Sequence, residues 1–286
     1  MNDITIVQIS DIHLSPAGKQ PSFNQQLDPY VKLNMVFDDI RKIAVKPEFI
    51  VLTGDLIHEG TANDYVRLQE ILKEKEQQLG IPIQVILGNH DRTEAFYEGF
   101  LQEEPQDKYY YKKTFSGVDN YFLDTTLGNI EQGYIHEKQL TWLKENLVQN
   151  QDKPALIFMH HPIAGASLRY MRFSVLQNGD DLIEVCRNGN VKGIFAGHIH
   201  FATTYTTENI VNGVAESTAY HIDCRNHKIH YVSDAVGYNI ITLSAAYEVG
   251  IENQMLLWNS EVVKEISIGQ TDFVNLKELK NNSKND

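Results

Sequence analysis

With 286 residues and a formal net charge of −13 at pH 7, the chain is acidic and long enough for one large domain or two modest ones. That charge disfavours a general nucleic-acid or anionic-membrane binder, because both surfaces are polyanions that attract Lys and Arg. A local positive site remains compatible with the composition if metal ions supply the charge. The two cysteines, Cys186 and Cys224, form no Cys-x-x-Cys pair, and we expect both to be reduced.

The first two thirds of the sequence alternate short apolar runs with amphipathic segments, which predicts βαβ units and a sheet that begins parallel. The predicted elements, in chain order, are strand 4–9, helix 31–44, strand 48–54, helix 64–79, strand 83–87, a short helix and surface loop over 93–113, strand 121–124, helix 137–147, and strands 155–159 and 191–196. Polar residues over 15–30 predict a loop that rims a pocket, and 165–180 should lie over the site as a lid.

Beyond residue 202 the apolar pattern changes to a period of two, which predicts a β-meander region with strands near 203–207, 211–217, 229–232 and 239–245. No repeat or Pro/Gly/Ser-rich linker divides the chain, so we expect a single domain over 1–274, with its motifs in 3–202 and a strand-rich remainder over 203–274. The polar tail 275–286 should fray. Neither a secretory signal nor a membrane span is visible, so a cytoplasmic location is expected.

Five apolar runs end in side chains that commonly bind metals, and the carboxyl ends of parallel strands gather at one edge of a sheet. These side chains are Asp11, His13, Asp55, Asn89, His160, His198 and His200. Oxygen and nitrogen donors without Cys suit Mn²⁺, Fe²⁺/Fe³⁺ or Zn²⁺. Seven donors exceed the needs of one ion, and two ions about 3.5 to 4 Å apart need a bridging ligand, a role available to Asp55.

The chain also resembles the calcineurin-like metallophosphoesterases, and most of all their class III cyclic-nucleotide phosphodiesterase and glycerophosphodiesterase branch. The resemblance covers about 3–202 and rests on five motifs in order: Asp11-x-His13, Gly54-Asp55, Gly88-Asn89-His90-Asp91, His160 and Gly197-His198-x-His200. It implies an α/β fold, a four-layer sandwich of two mixed β-sheets packed face to face and flanked by helices.

The resemblance also implies roles for individual residues. One metal ion would take Asp11, His13, Asp55 and His200. The other would take Asp55, Asn89, His160 and His198. His90 would contact the scissile phosphate and protonate or stabilise the leaving oxygen, with Asp91 orienting its imidazole. Further candidates for substrate binding are Asn89, His58, Arg169 and Arg172.

The resulting hypothesis is hydrolysis of a phosphodiester, of cyclic-nucleotide or glycerophosphodiester type, by in-line attack of a hydroxide that bridges two divalent metal ions. The substrate would be a small phosphoester, no stable nucleic-acid or membrane partner is expected, and a homo-oligomer is compatible with the sequence. Alternatives are a phosphomonoesterase or nucleotidase, a protein phosphatase, a nuclease, and a catalytically silent binding scaffold. A silent scaffold should have lost ligands or the histidine after Asn89, yet all are present.

Other histidines receive structural interpretations. His161 adjoins a predicted ligand and precedes Pro162, so we expect it to hydrogen-bond the backbone. Polar neighbours predict a solvated strand for the histidines His221, His227 and His230. The tyrosines at 109–111 predict alternation on an edge strand.

Overall fold

The structure, a computed structural model, describes residues 3–22, 25–128, 130–171, 173–226 and 229–258. Its strands are β1 (Ile4–Ile9), β2 (Phe49–Thr53), β3 (Ile83–Ile86), β4 (Tyr111–Phe115), β5 (Val118–Phe122), β6 (Pro154–Phe158), β7 (Asn190–Ala196), β8 (Thr203–Thr207), β9 (Ile210–Val214), β10 (Tyr220–Asp223), β11 (Tyr231–Asp234), β12 (Gly237–Leu243) and β13 (Val249–Met255). Its α-helices are α1 (Pro29–Ile40), α2 (Ala62–Leu79), α3 (Thr93–Phe96), α4 (Glu137–Gln149) and α5 (Gly179–Cys186).

The first sheet has the strand order β13-β12-β1-β2-β3. β1, β2 and β3 run parallel, which confirms the βαβ start, whereas β12 pairs antiparallel with β1 and β13 pairs antiparallel with β12. α1 begins after Asp28, whose carboxylate accepts a hydrogen bond from the Tyr30 amide, and it ends at Ile40, four residues before the predicted end. α2 ends at Leu79 and is followed by Gly80, which has the left-handed conformation that glycine favours.

The second sheet has the order β4-β5-β6-β7-β9-β8. β5, β6, β7 and β9 run parallel, and β4 and β8 are antiparallel strands at the two edges. The prediction of a single β-meander is therefore wrong, because β8 and β9 belong to the second sheet whereas β12 and β13 belong to the first. Among the described strands, only β10 and β11 pair solely with each other, as a hairpin.

The two sheets share one apolar core. Its buried side chains come from both sheets, for example Phe49 and Val51 of the first and Phe122, Phe158 and Phe195 of the second. A second core lies on the other face of the second sheet, where residues such as Tyr121 and Ile157 alternate with those of the shared core. Helices α4 and α5 cover it with Leu143, Leu147 and Leu182, among others. Two mixed sheets that share a core, together with flanking helices, confirm the predicted α/β metallophosphoesterase-type architecture.

Four of the described strands and α-helices were not predicted. α5 begins at Gly179, near the end of the segment interpreted as a lid, and β4 begins at Tyr111 inside the predicted surface loop. β10 lies between two predicted strands, and β13 forms an edge of the first sheet. β4 is itself an edge strand, as the tyrosines indicated. The described residues up to Leu256 form one compact unit. The predicted boundary at 274 and the tail 275–286 lie outside the described residues. None of the described helices has the length and apolar character needed to cross a membrane.

Candidate metal centre

The predicted ligands follow the ends of strands in both sheets. Asp11 and His13 follow β1, Asp55 follows β2 and Asn89 follows β3, while His160 follows β6 and the last two histidines follow β7. Five of the seven have a positive φ angle, which non-glycine residues rarely adopt and which is concentrated at functional sites. These five are Asp11 (52°), His13 (38°), Asp55 (50°), His198 (75°) and His200 (55°).

The first ligand cluster contains Asp11, His13, Asp55 and His200, all buried, with one ligand atom of each within 4.8 Å of the others. The Nε2 atoms of His13 and His200 are 3.1 Å apart. His13 Nε2 lies 3.4 Å from Asp55 Oδ2, and His200 Nε2 lies 3.4 Å from Asp11 Oδ1. These are the four residues assigned to one metal ion by the resemblance.

The second ligand cluster lies on the other side of Asp55. His160 Nε2 is 3.4 Å from Asp55 Oδ2, 3.1 Å from Asn89 Oδ1 and 3.2 Å from His198 Nδ1. The same carboxylate oxygen of Asp55 is thus equally far from His13 Nε2 and from His160 Nε2. This position between the clusters is the one that a bridging carboxylate needs.

Hydrogen bonds behind the clusters fix which ring nitrogen faces inward. His160 Nδ1 donates to the Thr53 carbonyl at 2.9 Å, and His200 Nδ1 donates to the Tyr220 carbonyl at 2.8 Å. Each Nε2 therefore presents a lone pair when the imidazole is neutral. Lone pairs and carboxylate oxygens that converge at these distances repel one another unless a cation or a proton lies between them, so the residues fit a metal centre.

The pKa shifts also indicate that the ligand clusters attract positive charge. Burial raises the pKa of Asp55, but the neighbouring His160 and His13 outweigh burial and hold that pKa well below 3.8. Burial alone would lower the pKa of His160, yet the charge of Asp55 and its hydrogen bond raise it to about 9. For His13 burial prevails and lowers the pKa to about 3. The centre thus holds its carboxylates ionised and attracts a cation to them.

Two motif glycines allow the clusters to pack this closely. A Cβ atom at Gly88 would collide with the Asp55 carboxylate, and one at Gly197 would collide with the side chains of Ser10 and Asp11. The Asp11 carboxylate in turn accepts the His198 amide at 2.9 Å. The glycines of Gly88-Asn89-His90 and Gly197-His198 are therefore required by space around the carboxylates.

His90 lies beside the first cluster, half-buried. Its amide donates to Asp55 Oδ1 at 2.9 Å, and its ring stacks on the His58 ring with centroids 4.5 Å apart and planes at 21°. His58 also approaches His13, with 3.4 Å between their Nδ1 atoms. The structure thus brings His58 to the site, between a ligand and the predicted leaving-group acid.

The predicted role of Asp91 needs correction, because its carboxylate holds the backbone of the site and makes no hydrogen bond to the His90 imidazole among the described residues. It accepts the amides of Leu56, Ile57 and Gly88 and the hydroxyl of Tyr65, at 2.8 to 3.2 Å. Burial, followed by the charge of Asp55, raises the pKa of Asp91 to about 6. Asp91 therefore fixes the loop that carries Asp55.

Tyr220 is a site residue that sequence reasoning missed. Its ring packs on His200 at 4.2 Å and on His13 at 5.2 Å between centroids, and its hydroxyl lies 3.5 Å from His13 Nε2. It belongs to β10, in the part of the chain without a motif, so no local signal marks it.

Of the two arginine candidates, the structure describes Arg169, which does not join the clusters. Arg169 is exposed, with its guanidinium 4.9 Å from the ring centroid of Tyr170, and it lines a cavity of about 860 Å³ whose lining residues include no predicted ligand. The structure therefore does not bring Arg169 to the ligand clusters, and its contact with a phosphate stays a prediction. Arg172 lies outside the described residues.

The remaining histidines differ among themselves. His221 is half-buried, and its Nδ1 lies 3.0 Å from the Glu216 carboxylate, whereas His230 is exposed as predicted and His227 lies outside the described residues. The prediction that the His161 side chain hydrogen-bonds the backbone was wrong, because its Nδ1 lies 2.8 Å from the hydroxyl of the Thr125 side chain. The two cysteines are both free.

Residues 4–202 match the model of the calcineurin-like phosphoesterase family, and the chain belongs to that family. A probable cyclic nucleotide phosphodiesterase from Rhodococcus erythropolis is 26% identical over 263 residues, which cover 86% of this chain and 85% of that protein. A probable glycerophosphodiester phosphodiesterase from Arcobacter nitrofigilis is 28% identical over 225 residues, which cover 76% of this chain and 79% of that protein. These relatives confirm the branch indicated by the motifs.

Among solved structures, a dimetal phosphatase from Danio rerio superposes with a TM-score of 0.55 at 14% identity, covering 87% of this chain and 98% of that one. This likeness confirms the metallophosphoesterase fold.

Proposed function

We propose that this phosphoesterase hydrolyses phosphodiesters, of the cyclic-nucleotide or glycerophosphodiester type named for its relatives, at a centre of two divalent metal ions. The observation that carries the proposal is the position of Asp55 Oδ2, 3.4 Å from a ligand nitrogen of each cluster. The donor set favours Mn²⁺, Fe²⁺/Fe³⁺ or Zn²⁺. When bound, the ions would neutralise the phosphate charge and supply a hydroxide near neutral pH.

The protein's own residues would place and activate the ester. The Asn89 amide and the His90 imidazole lie next to the clusters, where they can contact the phosphate, and His90 can protonate the leaving oxygen. The stacked His58 ring limits the movement of His90. A cytoplasmic location, the absence of stable nucleic-acid binding and the oligomeric state stay predictions from the sequence.

A preference for diesters over monoesters follows from charge. Two divalent ions, the carboxylates of Asp11 and Asp55 and one hydroxide leave a net charge of about +1, and the described Arg169 does not add to it. A diester monoanion needs less neutralisation than a monoester dianion, so the site favours the diester. A monoesterase or nucleotidase would need further cationic groups on the phosphate.

The deciding measurement is the ratio of kcat/KM for bis(p-nitrophenyl) phosphate to kcat/KM for p-nitrophenyl phosphate, with Mn²⁺ near neutral pH. We expect a ratio above one that Arg169→Ala leaves unchanged. A ratio well below one that rises in Arg169→Ala would overturn the diester preference and make that arginine a phosphate ligand. Full metal occupancy without turnover of either ester would instead indicate a binding scaffold.

The role of His90 can be tested by the acidity of the leaving group. His90→Ala should keep its metal ions and lose about 10²- to 10⁴-fold in turnover on an ester with an alkoxide leaving group. It should lose less when p-nitrophenolate leaves, because that anion needs no proton. Equal losses on both esters would exclude the acid role.

A further inference from the structure

His161 is a buried histidine next to the second cluster that the mechanism above does not use. It lies directly after the ligand His160, and its ring centroid is 4.9 Å from that of His160 and 4.4 Å from that of His198. One of its ring nitrogens lies within 4.8 Å of ligand atoms of both residues. Its side chain is fully buried, yet Nε2 has no hydrogen-bond partner among the described residues.

The other ring nitrogen is held by Thr125. The Thr125 hydroxyl oxygen accepts the His161 backbone amide at 3.2 Å and lies 2.8 Å from His161 Nδ1. The tautomer in which this hydroxyl donates to Nδ1 places the ring hydrogen of His161 on Nε2. The backbone at Gly133 packs against the ring, since a Cβ atom there would lie 2.5 Å from His161 Cγ.

A buried N–H group without an acceptor is unfavourable, and such groups in native proteins usually mark a function or an absent partner. In this tautomer Nε2 is a hydrogen-bond donor and offers no lone pair to a metal ion. Its partner must be an oxygen, and an anionic oxygen suits a site that attracts negatively charged esters. Clamped by Thr125 and Gly133, the ring would be oriented before the ester arrives.

We propose that His161 Nε2–H donates a hydrogen bond to a non-bridging phosphate oxygen at the second ligand cluster, which makes His161 a substrate-binding residue. This inference rests on the proposed function, because it requires a phosphate group at the metal centre. It adds to Asn89 and His90 a donor that needs no positive charge, in keeping with a diester monoanion as substrate.

The test is binding of inorganic phosphate to the Mn²⁺-loaded protein by calorimetry, together with the metal content of each variant. His161→Ala should keep the metal content of wild type and bind phosphate about 10- to 100-fold more weakly, as expected for the loss of a hydrogen bond to a charged group. His161→Gln places an amide N–H near the position of Nε2 and should recover part of the affinity. The exposed His230→Ala is the matched control and should bind phosphate like wild type.

Two results would overturn the proposal. If His161→Ala and His161→Gln bind phosphate as tightly as wild type with metal content intact, the N–H does not contact phosphate. If either variant loses one metal equivalent, His161 is a metal ligand and not a donor. As a second measurement, KM for bis(p-nitrophenyl) phosphate should rise in His161→Ala and partly recover in His161→Gln. If wild type holds two Mn²⁺ per chain but hydrolyses no ester, the proposed function is refuted. The role of His161 is still tested in that case, because phosphate binding is measured without turnover.

Discussion

The carboxylate of Asp91 offers a test of how the fold supports the metal centre. Oδ1 accepts Ile57 N at 3.1 Å and the Tyr65 hydroxyl at 2.8 Å, while Oδ2 accepts Gly88 N at 2.9 Å and Leu56 N at 3.0 Å. In Asp91→Asn one oxygen becomes an NH₂ group, so two buried donors face another donor whichever way the amide turns. An unsatisfied buried donor costs about 1–3 kcal/mol, and we expect a loss of about 2–4 kcal/mol after partial relaxation.

The assay is urea unfolding of the metal-free protein, so that altered metal binding does not contribute to the measured stability. Tyr65→Phe is the matched control, because it removes one donor and leaves the carboxylate with its three amides; its loss should be near 1 kcal/mol. A loss for Asp91→Asn no greater than that of Tyr65→Phe would refute the view that Asp91 holds the loop that carries Asp55. If Asp91→Asn keeps its stability but loses activity, the result would support the sequence-based prediction that Asp91 orients His90.

Two further predictions concern pH and metal affinity. Burial raises the pKa of Asp119, but hydrogen bonds from Lys112 and Lys153 outweigh burial and lower that pKa below 3.8. The ionised Asp119 carboxylate therefore stabilises the fold above pH 3.8, and this stabilisation is lost as the pH falls through the lowered pKa. The difference in unfolding free energy between wild type and Asp119→Asn should therefore be constant near neutral pH and shrink below about pH 4; a constant difference down to acid unfolding would contradict this. Tyr220→Ala should weaken Mn²⁺ binding about 10- to 100-fold because the ring packs on His200, whereas Tyr220→Phe should change it only slightly. Equal losses in calorimetric titrations would assign the effect to the hydroxyl.

The ligand positions could be predicted from the sequence because each one is set locally. A buried apolar run fixes a strand, and the residue after its carboxyl end must emerge at the sheet edge, so Asp11, Asp55 and His160 were identifiable one by one. The motif glycines reinforce this, since the space around Asp55 admits no side chain at Gly88.

The support behind the ligands could not be predicted, because it depends on contacts between distant segments. Tyr220 meets His13 only because the hairpin β10–β11 folds back over the end of β1, and no periodicity in 203–258 indicates that path. β12 joins β1 across more than two hundred residues, with Ile4 opposite Leu243. The error about Asp91 has the same origin, since its partners at 56–57 are on another loop.

The central claim is that Asp55 bridges two metal ions, and the metal content of Asp55→Ala tests it most directly. Wild type reconstituted with Mn²⁺ should hold two equivalents per chain and hydrolyse bis(p-nitrophenyl) phosphate. Removal of the shared carboxylate should disturb both clusters, because its Oδ2 lies 3.4 Å from His13 Nε2 and from His160 Nε2. Asp55→Ala should therefore lose most of both equivalents together with turnover. Two equivalents retained in that variant would contradict the bridge and the ligand assignment built on it.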